Sequence, residues 1–384
     1  MIILNSGPGS YVSIEGKRYS YFGGNNYLGL AGHPEVKMAA IRAIEKYGVN
    51  FSASRVTTGT SGLHIELEKK LSAFKKKDDT ITFPSGYLGN RILLGALAGP
   101  GSALLIDSLA HPSIEDSVPG HVTSVRHYNH CDVGHLENII KKLPSGLKPV
   151  IITDGIFALT GEIAPLDEIQ IVALRYNALV IVDDAHSTGV LGQNGRGTVE
   201  HFNLEDAGNI YQSETMSKAL GSYGGFISGD RRFMSLLRKG SDIYRASTAL
   251  PPHIVAAGIA SVSIITKNPG MKEKLIEKAS FLRNEITGMG LGTAGGETPI
   301  IPVIFGSPSA ASSLSRFLEI NGIIAPAIDY PNKLDKYIVR ITLCTGHSDQ
   351  QVESLLSFIK KWKDRNGSFE NQENNHRADQ HFAG

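Results

Sequence analysis

The chain lacks several features that mark secreted and membrane-bound proteins. Its 384 residues include only two cysteines, Cys131 and Cys344, so no disulfide framework is expected and a reducing compartment is favoured. Residues 1–4 are too few for the apolar core of a signal peptide. A long apolar stretch, residues 92–106, is interrupted by three glycines and a proline, which excludes a membrane-spanning helix there. We therefore expect a cytoplasmic protein with no membrane partner.

An excess of charge of either sign is also missing. The formal net charge is +1 and charged residues make up 20% of the chain, so the composition gives no bias toward nucleic acids. No Walker motif occurs. One G-x-G-x-x-G pattern, at residues 290–295, follows a helical pattern and precedes a strand. This is the reverse of the order that a dinucleotide site needs, so we interpret it as a loop.

The length of the chain allows a large core and predicts one large domain with a smaller one. Strand-like runs alternate with helical patterns over residues 36–270, which is typical of a mostly parallel sheet covered by helices. A smaller α+β domain is predicted for residues 271–364. Residues 1–35 form an N-terminal segment, and the polar residues 365–384 are expected to be a disordered tail.

Three short apolar runs of the large domain each end in an aspartate. They lie at residues 102–107, 150–154 and 178–183, and their continuous apolar character predicts strands buried on both faces. In the smaller predicted domain, residues 299–305 and 337–343 also indicate strands. The side chain that ends each parallel strand lies at the edge of the sheet where open α/β folds place their sites.

Two helix ends can also be predicted. An apolar stripe over residues 67–74 ends in Lys75, Lys76 and Lys77, which we expect to be solvated and to interact with the helix dipole. Ser348 and Gln351 form a possible capping box at the start of the final helix.

The most informative segment is QSETMSKALG, residues 212–221. Lys218 stands there among small and hydroxylated residues, with Thr215 and Ser217 before it. Taken alone, Lys218 would more simply be a surface lysine in a turn. However, its setting leaves room for a ligand and offers hydroxyl groups to an anion, which suits a Schiff-base lysine that holds pyridoxal phosphate (PLP).

A second motif supports this interpretation. Asp183 ends the third aspartate-terminated strand and is followed by His186. A carboxylate there can keep a pyridine nitrogen protonated, and the histidine could reach the phenolic oxygen of the same ring. Taken alone, Asp183 would more simply cap the following turn, and His186 would be a histidine whose hydrogen bonds are satisfied within the protein. The strand, the Asp-x-x-His spacing and the later Ser-Lys pair together favour the cofactor site.

Ser85, Gly86 and Tyr87 lie between a predicted strand and a predicted helix. Helix N-terminal amides attract phosphate, and glycine lets the backbone approach it closely. An ordinary strand-to-helix turn is the alternative for this segment. The cluster of His127, His130, Cys131 and His135 is not expected to bind a metal.

Taken as an ordered set, these and further segments resemble the α-oxoamine synthases, a family of fold-type I PLP enzymes. The matching segments run from Asn25 to about Trp362 and are NNYLGL (25–30), SGY (85–87), 107–111, TDG (153–155), 183–189, GRG (195–197), 215–221, 247–252 and RITL (340–343). The resemblance implies a large domain with a mostly parallel seven-stranded sheet and a smaller C-terminal α+β domain. It also implies a homodimer with its active site at the interface.

The resemblance also implies residue roles. Lys218 would hold the cofactor and move protons at the substrate α-carbon, and His111 would stack on the ring. Asp183 would pair with the pyridine nitrogen, and His186 with the phenolic oxygen. The remaining roles are for Ser85, Gly86, Tyr87 and Thr215 at the phosphate, Ser247 at the phosphate from the partner subunit, Asn25 near the substrate, and Arg340 at the amino-acid carboxylate.

Four features of the sequence depart from the family pattern. Ala158 stands where a serine is usual, and Cys131 replaces an asparagine of a His-Asn-Asp loop. Few residues precede Asn25, so a common N-terminal helix that helps to shape the thioester site is expected to be absent. Tyr330-Pro331-Asn332-Lys333 differs from a Pro-Thr-Val-Pro-like loop.

The predicted activity is a PLP-dependent acyl transfer from an acyl-CoA, or another acyl thioester, to a small amino acid, usually with decarboxylation. Two alternatives stay open: an aminotransferase of the same fold and a non-catalytic partner subunit. The Asp-x-Ala-His order at 183–186 disfavours the first, because many aminotransferases resemble Asp-x-Ala-Tyr there. The presence of Lys218 disfavours the second.

Overall fold

The computed structural model of the chain describes residues 2–328 and 336–380, with side chains described as far as residue 366. The departure at Tyr330-Pro331-Asn332-Lys333 lies outside the described residues.

Strands and helices alternate along most of the described chain. The strands are β1 (Tyr11–Ile14), β2 (Lys17–Tyr21), β3 (Asp79–Phe83), β4 (Ser102–Asp107), β5 (Ser124–Tyr128), β6 (Lys148–Asp154), β7 (Leu179–Asp183), β8 (Ile210–Thr215), β9 (Gly225–Gly229), β10 (Gly292–Thr293), β11 (Ile300–Phe305), β12 (Ile323–Ile324), β13 (Ala327–Ile328) and β14 (Tyr337–Thr342). The helices are α1 (Pro34–Tyr47), α2 (Gly62–Lys75), α3 (Tyr87–Leu97), α4 (Pro112–Glu115), α5 (Val133–Lys141), α6 (Leu166–Arg175), α7 (Thr198–His201), α8 (Arg231–Gly240), α9 (Asp242–Ala246), α10 (Pro252–Lys267), α11 (Met271–Gly288), α12 (Pro308–Ile320) and α13 (Asp349–Gln380), with a short 3-10 helix at Leu30–Gly32.

The central sheet has seven strands in the order β3-β9-β8-β7-β6-β4-β5. Strand β9 is antiparallel to both of its neighbours, and the other pairings are parallel. The predicted mostly parallel, seven-stranded sheet is therefore confirmed. Because β6 and β7 pair in register with Asp154 opposite Asp183, two of the predicted strand-ending aspartates lie side by side.

The central strands are apolar on both faces because helices cover both sides of the sheet. On β4, Leu104 and Ile106 face the side that holds α3 and α8, whereas Leu105 faces the side that holds α5 and α6. This alternation follows from the two-residue period of a strand. Each buried aliphatic side chain contributes roughly 1.5–3 kcal/mol, which explains why these strands carry almost no polar residues before their final aspartate.

Two smaller sheets are formed largely by the second half of the chain. Strands β10, β11, β14 and β13 make an antiparallel sheet, and β12 pairs with the N-terminal hairpin of β1 and β2. The described residues before Asn25 thus form a hairpin that is attached to the C-terminal half. The predicted strands at 299–305 and 337–343 are confirmed as β11 and β14, whereas the division into domains at residues 35 and 270 stays a prediction.

The final helix begins as predicted and continues further than predicted. The amide of Gln351 donates to Ser348 Oγ, and the Ser348 amide donates to Gln351 Oε1, at 3.2 and 3.1 Å, which confirms the capping box. Helix α13 runs to Gln380, whereas we expected a disordered tail from residue 365. Once a helix is nucleated, each further residue adds a hydrogen bond, so a polar continuation can follow a packed first half.

Within the described ranges, no single helix is both long and apolar enough to cross a membrane. Helices α10 and α11 satisfy that test of length and composition only when they are taken together, and a bend of 78° separates them.

The lysine run at the end of α2 contains one buried member. Lys75 is only 3% exposed; its amine forms an ion pair with Glu214 and donates to the carbonyl of Arg196. The expectation that Lys75 is solvated is therefore wrong, although Lys76 is exposed. The reason is tertiary, because Glu214 on β8 is fully buried and needs a countercharge.

We expect Lys75→Met to destabilise the fold by about 3–5 kcal/mol at pH 8, because it leaves a buried carboxylate unpaired. Burial already raises the pKa of Glu214 to about 7. A carboxyl whose pKa is raised by folding loses stability as the pH rises from its ordinary value through the raised one, so the deficit of the variant should shrink toward pH 5. Urea unfolding at both pH values measures this, with Lys76→Met as the exposed control. Equal urea midpoints for the two variants at pH 8 would contradict the assignment.

Candidate active site

A pocket of about 280 Å³ lies at the carboxyl ends of the central strands. It is lined by Ser85, Gly86, Tyr87, His111, Ser113, Asp154, Asp183, Ala185, His186, Thr215, Ser217, Lys218 and Tyr223. Eight of the predicted site residues are thus brought together. Two larger cavities, of about 540 and 440 Å³, lie elsewhere and contain none of the predicted site residues, so we place the site in the smaller pocket on chemical grounds.

Lys218 lies in a tight turn after β8. The turn is closed by hydrogen bonds from the Gly221 amide to the Lys218 carbonyl and from the Met216 amide to the Gly224 carbonyl, each 2.9 Å. Burial, with a contribution from the nearby Arg340 charge, lowers the pKa of the Lys218 amine to about 8. At pH 7 about one amine in ten is then neutral, against about one in three thousand at the ordinary value. Neutral amine is the form that attacks a carbonyl.

Asp183 is held by two hydrogen bonds at the end of β7. The Asn90 amide Nδ2 donates to Asp183 Oδ2 at 2.6 Å, and the Ala185 backbone amide donates to Oδ1 at 3.1 Å. Asp154 lies on the neighbouring strand, and burial together with the Asp183 charge raises the pKa of Asp154 well above its usual range. The arrangement therefore favours the neutral form of Asp154 beside the carboxylate of Asp183.

A chain of hydrogen bonds connects Asp183 to His111. Asn90 Nδ2 also reaches Ser113 Oγ at 2.9 Å, and Ser113 Oγ contacts His111 Nδ1 at 2.7 Å. The backbone amide of His111 donates to Asp154 at 3.1 Å. Sequence reasoning missed Asn90, although it lies on the same face of α3 as Tyr87, three residues later.

Gly86 and Thr215 form a narrow cradle at the start of α3. A Cβ atom on Gly86 would lie 2.7 Å from both Cβ and Oγ1 of Thr215, so only glycine fits. The N-cap residue Gly86 provides no side-chain cap, and the Tyr87 amide donates to Ser85 Oγ at 3.3 Å. The positive end of the helix dipole at this N-terminus favours a bound anion. Tyr87 follows in the same turn, and its hydroxyl contacts Asp116.

His186 and Arg340 each have defined partners. His186 Nδ1 lies 2.6 Å from the Tyr27 hydroxyl. Arg340 donates from Nε to the Ala158 carbonyl at 2.6 Å and from Nη2 to Asn25 Oδ1 at 3.0 Å. The two residues predicted to bind substrate, Asn25 and Arg340, therefore contact each other.

Comparison with known proteins identifies the family. A family model described as aminotransferase class I and II matches residues 20–359. The 8-amino-7-oxononanoate synthase of Thermoanaerobacter pseudethanolicus is 38% identical over 363 residues, which cover 94% of this chain and 92% of that protein. The 8-amino-7-oxononanoate synthase 1 of Bacillus subtilis is 34% identical over 359 residues, 93% and 91% of the two chains.

The fold also matches that of a serine palmitoyltransferase from S. paucimobilis with a bound PLP–myriocin aldimine. The TM-score is 0.91 at 28% identity, over 96% of this chain and 94% of that one. The chain belongs to the α-oxoamine synthases. It is accordingly a fold-type I, PLP-dependent acyltransferase, as the sequence predicted.

The pocket of this α-oxoamine synthase fits pyridoxal 5'-phosphate. The glycine cradle and the N-terminal end of α3 suit the phosphate, and the buried amine of Lys218 suits an aldehyde. Asp183 offers a carboxylate for a pyridine nitrogen. These groups lie around one cavity at the sheet edge, where α/β folds bind their ligands.

Two residues named in the sequence comparison, Ala158 and Ser247, have distinct places relative to the pocket. Ala158 lacks the usual serine hydroxyl, yet its backbone carbonyl anchors Arg340. Ser247 follows α9 and does not line the pocket of its own chain. The family resemblance assigns Ser247 to the pocket of a partner subunit.

Within the histidine and cysteine cluster of this synthase, His130 is held between two carboxylates. His130 contacts Asp107 and Glu162 at 2.9 and 3.0 Å. Burial opposes protonation of His130, but hydrogen bonds to Asp107, Cys131 and Glu162 outweigh it and raise the pKa to about 12. Asp107, His130 and Cys131 lie close enough to share a metal, but both ring nitrogens of His130 are hydrogen-bonded to carboxylates, and one of these bonds would have to break before the imidazole could bind a metal.

Proposed function

We propose that the protein joins a small amino acid to an acyl-CoA, releasing carbon dioxide and free CoA, in the manner of the 8-amino-7-oxononanoate synthases that it is similar to. The new bond joins the amino-acid α-carbon to the thioester carbonyl carbon, while the carbon–sulfur bond and the bond to the α-carboxylate break. The observation that carries the proposal is Lys218, a buried amine in the same pocket as Asp183 and His186.

The proposed role of the pocket residues follows from their chemistry. Bound PLP supplies an electron sink for negative charge at the substrate α-carbon. Lys218 would bind the cofactor aldehyde and move the α-proton. Asp183 would hold a proton on the pyridine nitrogen, His186 would donate to the phenolic oxygen, and His111 would pack on the ring face.

The phosphate and the substrate carboxylate would be held at separate places. Ser85, Gly86, Tyr87 and Thr215 would surround the phosphate of the cofactor, which is supported by the glycine cradle. Arg340 would bind the amino-acid carboxylate beside Asn25, for which a planar guanidinium is well shaped.

The assembly is also part of the proposal. We propose a cytoplasmic homodimer in which Ser247 of one subunit reaches the phosphate site of the other. Residues 36–270 would form the cofactor domain and residues 271–364 the smaller domain. The low cysteine count supports a reducing compartment.

The product named for the relatives indicates which substrates to test first. In 8-amino-7-oxononanoate, the amine, the carbon that bears it and the terminal methyl group correspond to decarboxylated alanine, so the rest of the molecule corresponds to a seven-carbon dicarboxylic acid that is activated at one end. We expect thiol release from such a CoA thioester with alanine, and slower or no release with glycine or serine. A thiol-reactive dye and carbon dioxide capture measure the two products.

The alternatives predict different products. An aminotransferase would convert the amino acid to its keto acid stoichiometrically, would accumulate pyridoxamine phosphate and would release no thiol from any thioester. A non-catalytic subunit would give neither product although it binds PLP. Either result would overturn the proposed function.

A further inference from the structure

The hydroxyl of Tyr27 makes a short contact to His186 inside the protein. Tyr27 is fully buried and His186 is 6% exposed, and Tyr27 Oη lies 2.6 Å from His186 Nδ1. The Tyr27 carbonyl accepts a hydrogen bond from the Thr345 amide at 2.8 Å. The backbone of Tyr27 is thereby attached to Thr345, three residues after the end of β14.

The direction of the Tyr27 hydrogen bond follows from distances. The hydroxyl hydrogen has two acceptors within reach, His186 Nδ1 at 2.6 Å and Asn25 Oδ1 at 3.5 Å. The second distance is at the limit of a hydrogen bond, and Asn25 Oδ1 already accepts from Arg340. His186 Nδ1 is the nearer acceptor by 0.9 Å, and the hydroxyl is therefore assigned as its donor.

The protonation of both groups agrees with this direction. Burial raises the pKa of Tyr27 to about 12, so the phenol keeps its hydrogen. Burial and the charged or titratable groups that face His186, namely Lys218, Arg340 and His111, hold the pKa of the imidazole well below its usual range. A neutral imidazole that accepts at Nδ1 must carry its single hydrogen on Nε2.

His186 lines the pocket, and its Nε2 has no hydrogen-bond partner in the part of the chain that the structure describes. An N–H group there is a donor for an anionic oxygen in the pocket. With the other tautomer, the Nε2 lone pair would face that oxygen and repel it.

We propose that Tyr27 is a positioning residue that fixes His186 as the neutral Nε2–H tautomer, so that the histidine can only donate toward the phenolic oxygen of the cofactor. The assignment of that oxygen rests on the proposed function, whereas the tautomer does not. Asn25 Oδ1, which accepts from Arg340, lies 3.5 Å from the Tyr27 hydroxyl, so the predicted substrate-carboxylate site borders this pair.

The tautomer can be measured without turnover. Nitrogen-15 NMR of the full-length protein, labelled at its 13 histidines, is recorded with and without PLP, and His186→Gln identifies the His186 signal. We expect a protonated Nε2 and an acceptor Nδ1 in both samples. A hydrogen on Nδ1 in the parent protein would overturn the proposal even if the enzyme is a synthase, and the expected tautomer would stand even if the reaction is different.

The second measurement is a pH titration of the visible absorbance of protein-bound PLP. A donor to the phenolic oxygen favours its anion, so Tyr27→Phe should raise the midpoint of this titration by about one pH unit, the size of one lost hydrogen bond. Tyr128→Phe is the matched control, because Tyr128 is also buried and its hydroxyl donates to the Ile152 carbonyl at 3.4 Å, but Tyr128 does not line the pocket. Its midpoint should equal that of the parent.

An unchanged midpoint in Tyr27→Phe would overturn the proposal. If Tyr27→Phe does not fold, the NMR experiment on the parent protein decides alone. A purely structural role for Tyr27 would lower the melting temperature of Tyr27→Phe and leave its titration midpoint in place, which also counts against a positioning role.

Discussion

Lys218→Ala is expected to abolish turnover and the covalent attachment of PLP. The proton transfer assigned to this amine is worth roughly 10²–10⁴-fold by itself, and no other lysine lines the pocket in the part of the chain that the structure describes. Borohydride reduction followed by mass spectrometry should locate the cofactor on the peptide that contains Lys218 in the parent and on none in the variant.

The low pKa of Lys218 adds a condition to this prediction. Because the amine titrates at about 8, attachment of PLP to the cofactor-free protein should slow as the pH falls below that value, since the protonated amine cannot attack. Lys239→Ala, at an exposed position on α8, is the control and should behave like the parent. A reduced adduct on a lysine other than Lys218 would remove it from its assigned role.

Asp183→Asn is expected to retain the fold and to lose most of the activity. A neutral amide no longer favours a protonated pyridine, whose pKa falls by roughly 1–3 units when the neighbouring charge is removed. We expect kcat to fall roughly 10²–10³-fold, as is common when one preorganised electrostatic contact is lost. The substituted amide has the shape of the carboxylate and its oxygen can still accept from Asn90, but its NH2 group then faces the Ala185 amide. We therefore expect a loss of stability of about 1–3 kcal/mol, the cost of one unmade buried hydrogen bond, with the fold retained.

The control for this variant is Asp79→Asn, at a carboxylate that pairs with Arg238 on the surface side of β3 and lies outside the pocket. Its turnover should match that of the parent. Steady-state kinetics with saturating PLP separate the two variants. Turnover of Asp183→Asn close to that of the parent would show that this aspartate is not the partner of the nitrogen.

Much of the fold could be predicted because its signals are local. The strands that end in Asp107, Asp154 and Asp183 are apolar on both faces, and only strands covered on both sides have that composition. The capping box of Ser348 and Gln351 is a short-range pattern, and it forms as predicted. The eight predicted residues of the pocket follow from the same local order, because the carboxyl ends of parallel strands meet at one edge of the sheet.

The interactions that the sequence did not reveal all join residues that are far apart in the chain. Lys75 was predicted to be solvated, like the two lysines that follow it, but in the folded chain it pairs with Glu214 on β8. Asn90 lies 93 residues from the aspartate that it holds. Such contacts depend on strand order and register rather than on spacing.

The sequence alone thus determined the class of fold and the cofactor and predicted the residues around it, because hydrophobic periodicity, short motifs and the order of those motifs can be read along the chain. Only the tertiary structure decided how those residues are oriented. Tyr27 meets His186 across 159 positions and Arg340 meets the Ala158 carbonyl across 182. Hydrogen bonds act over about 3 Å, so the partner of a buried polar group is decided where the folded chain brings its segments together.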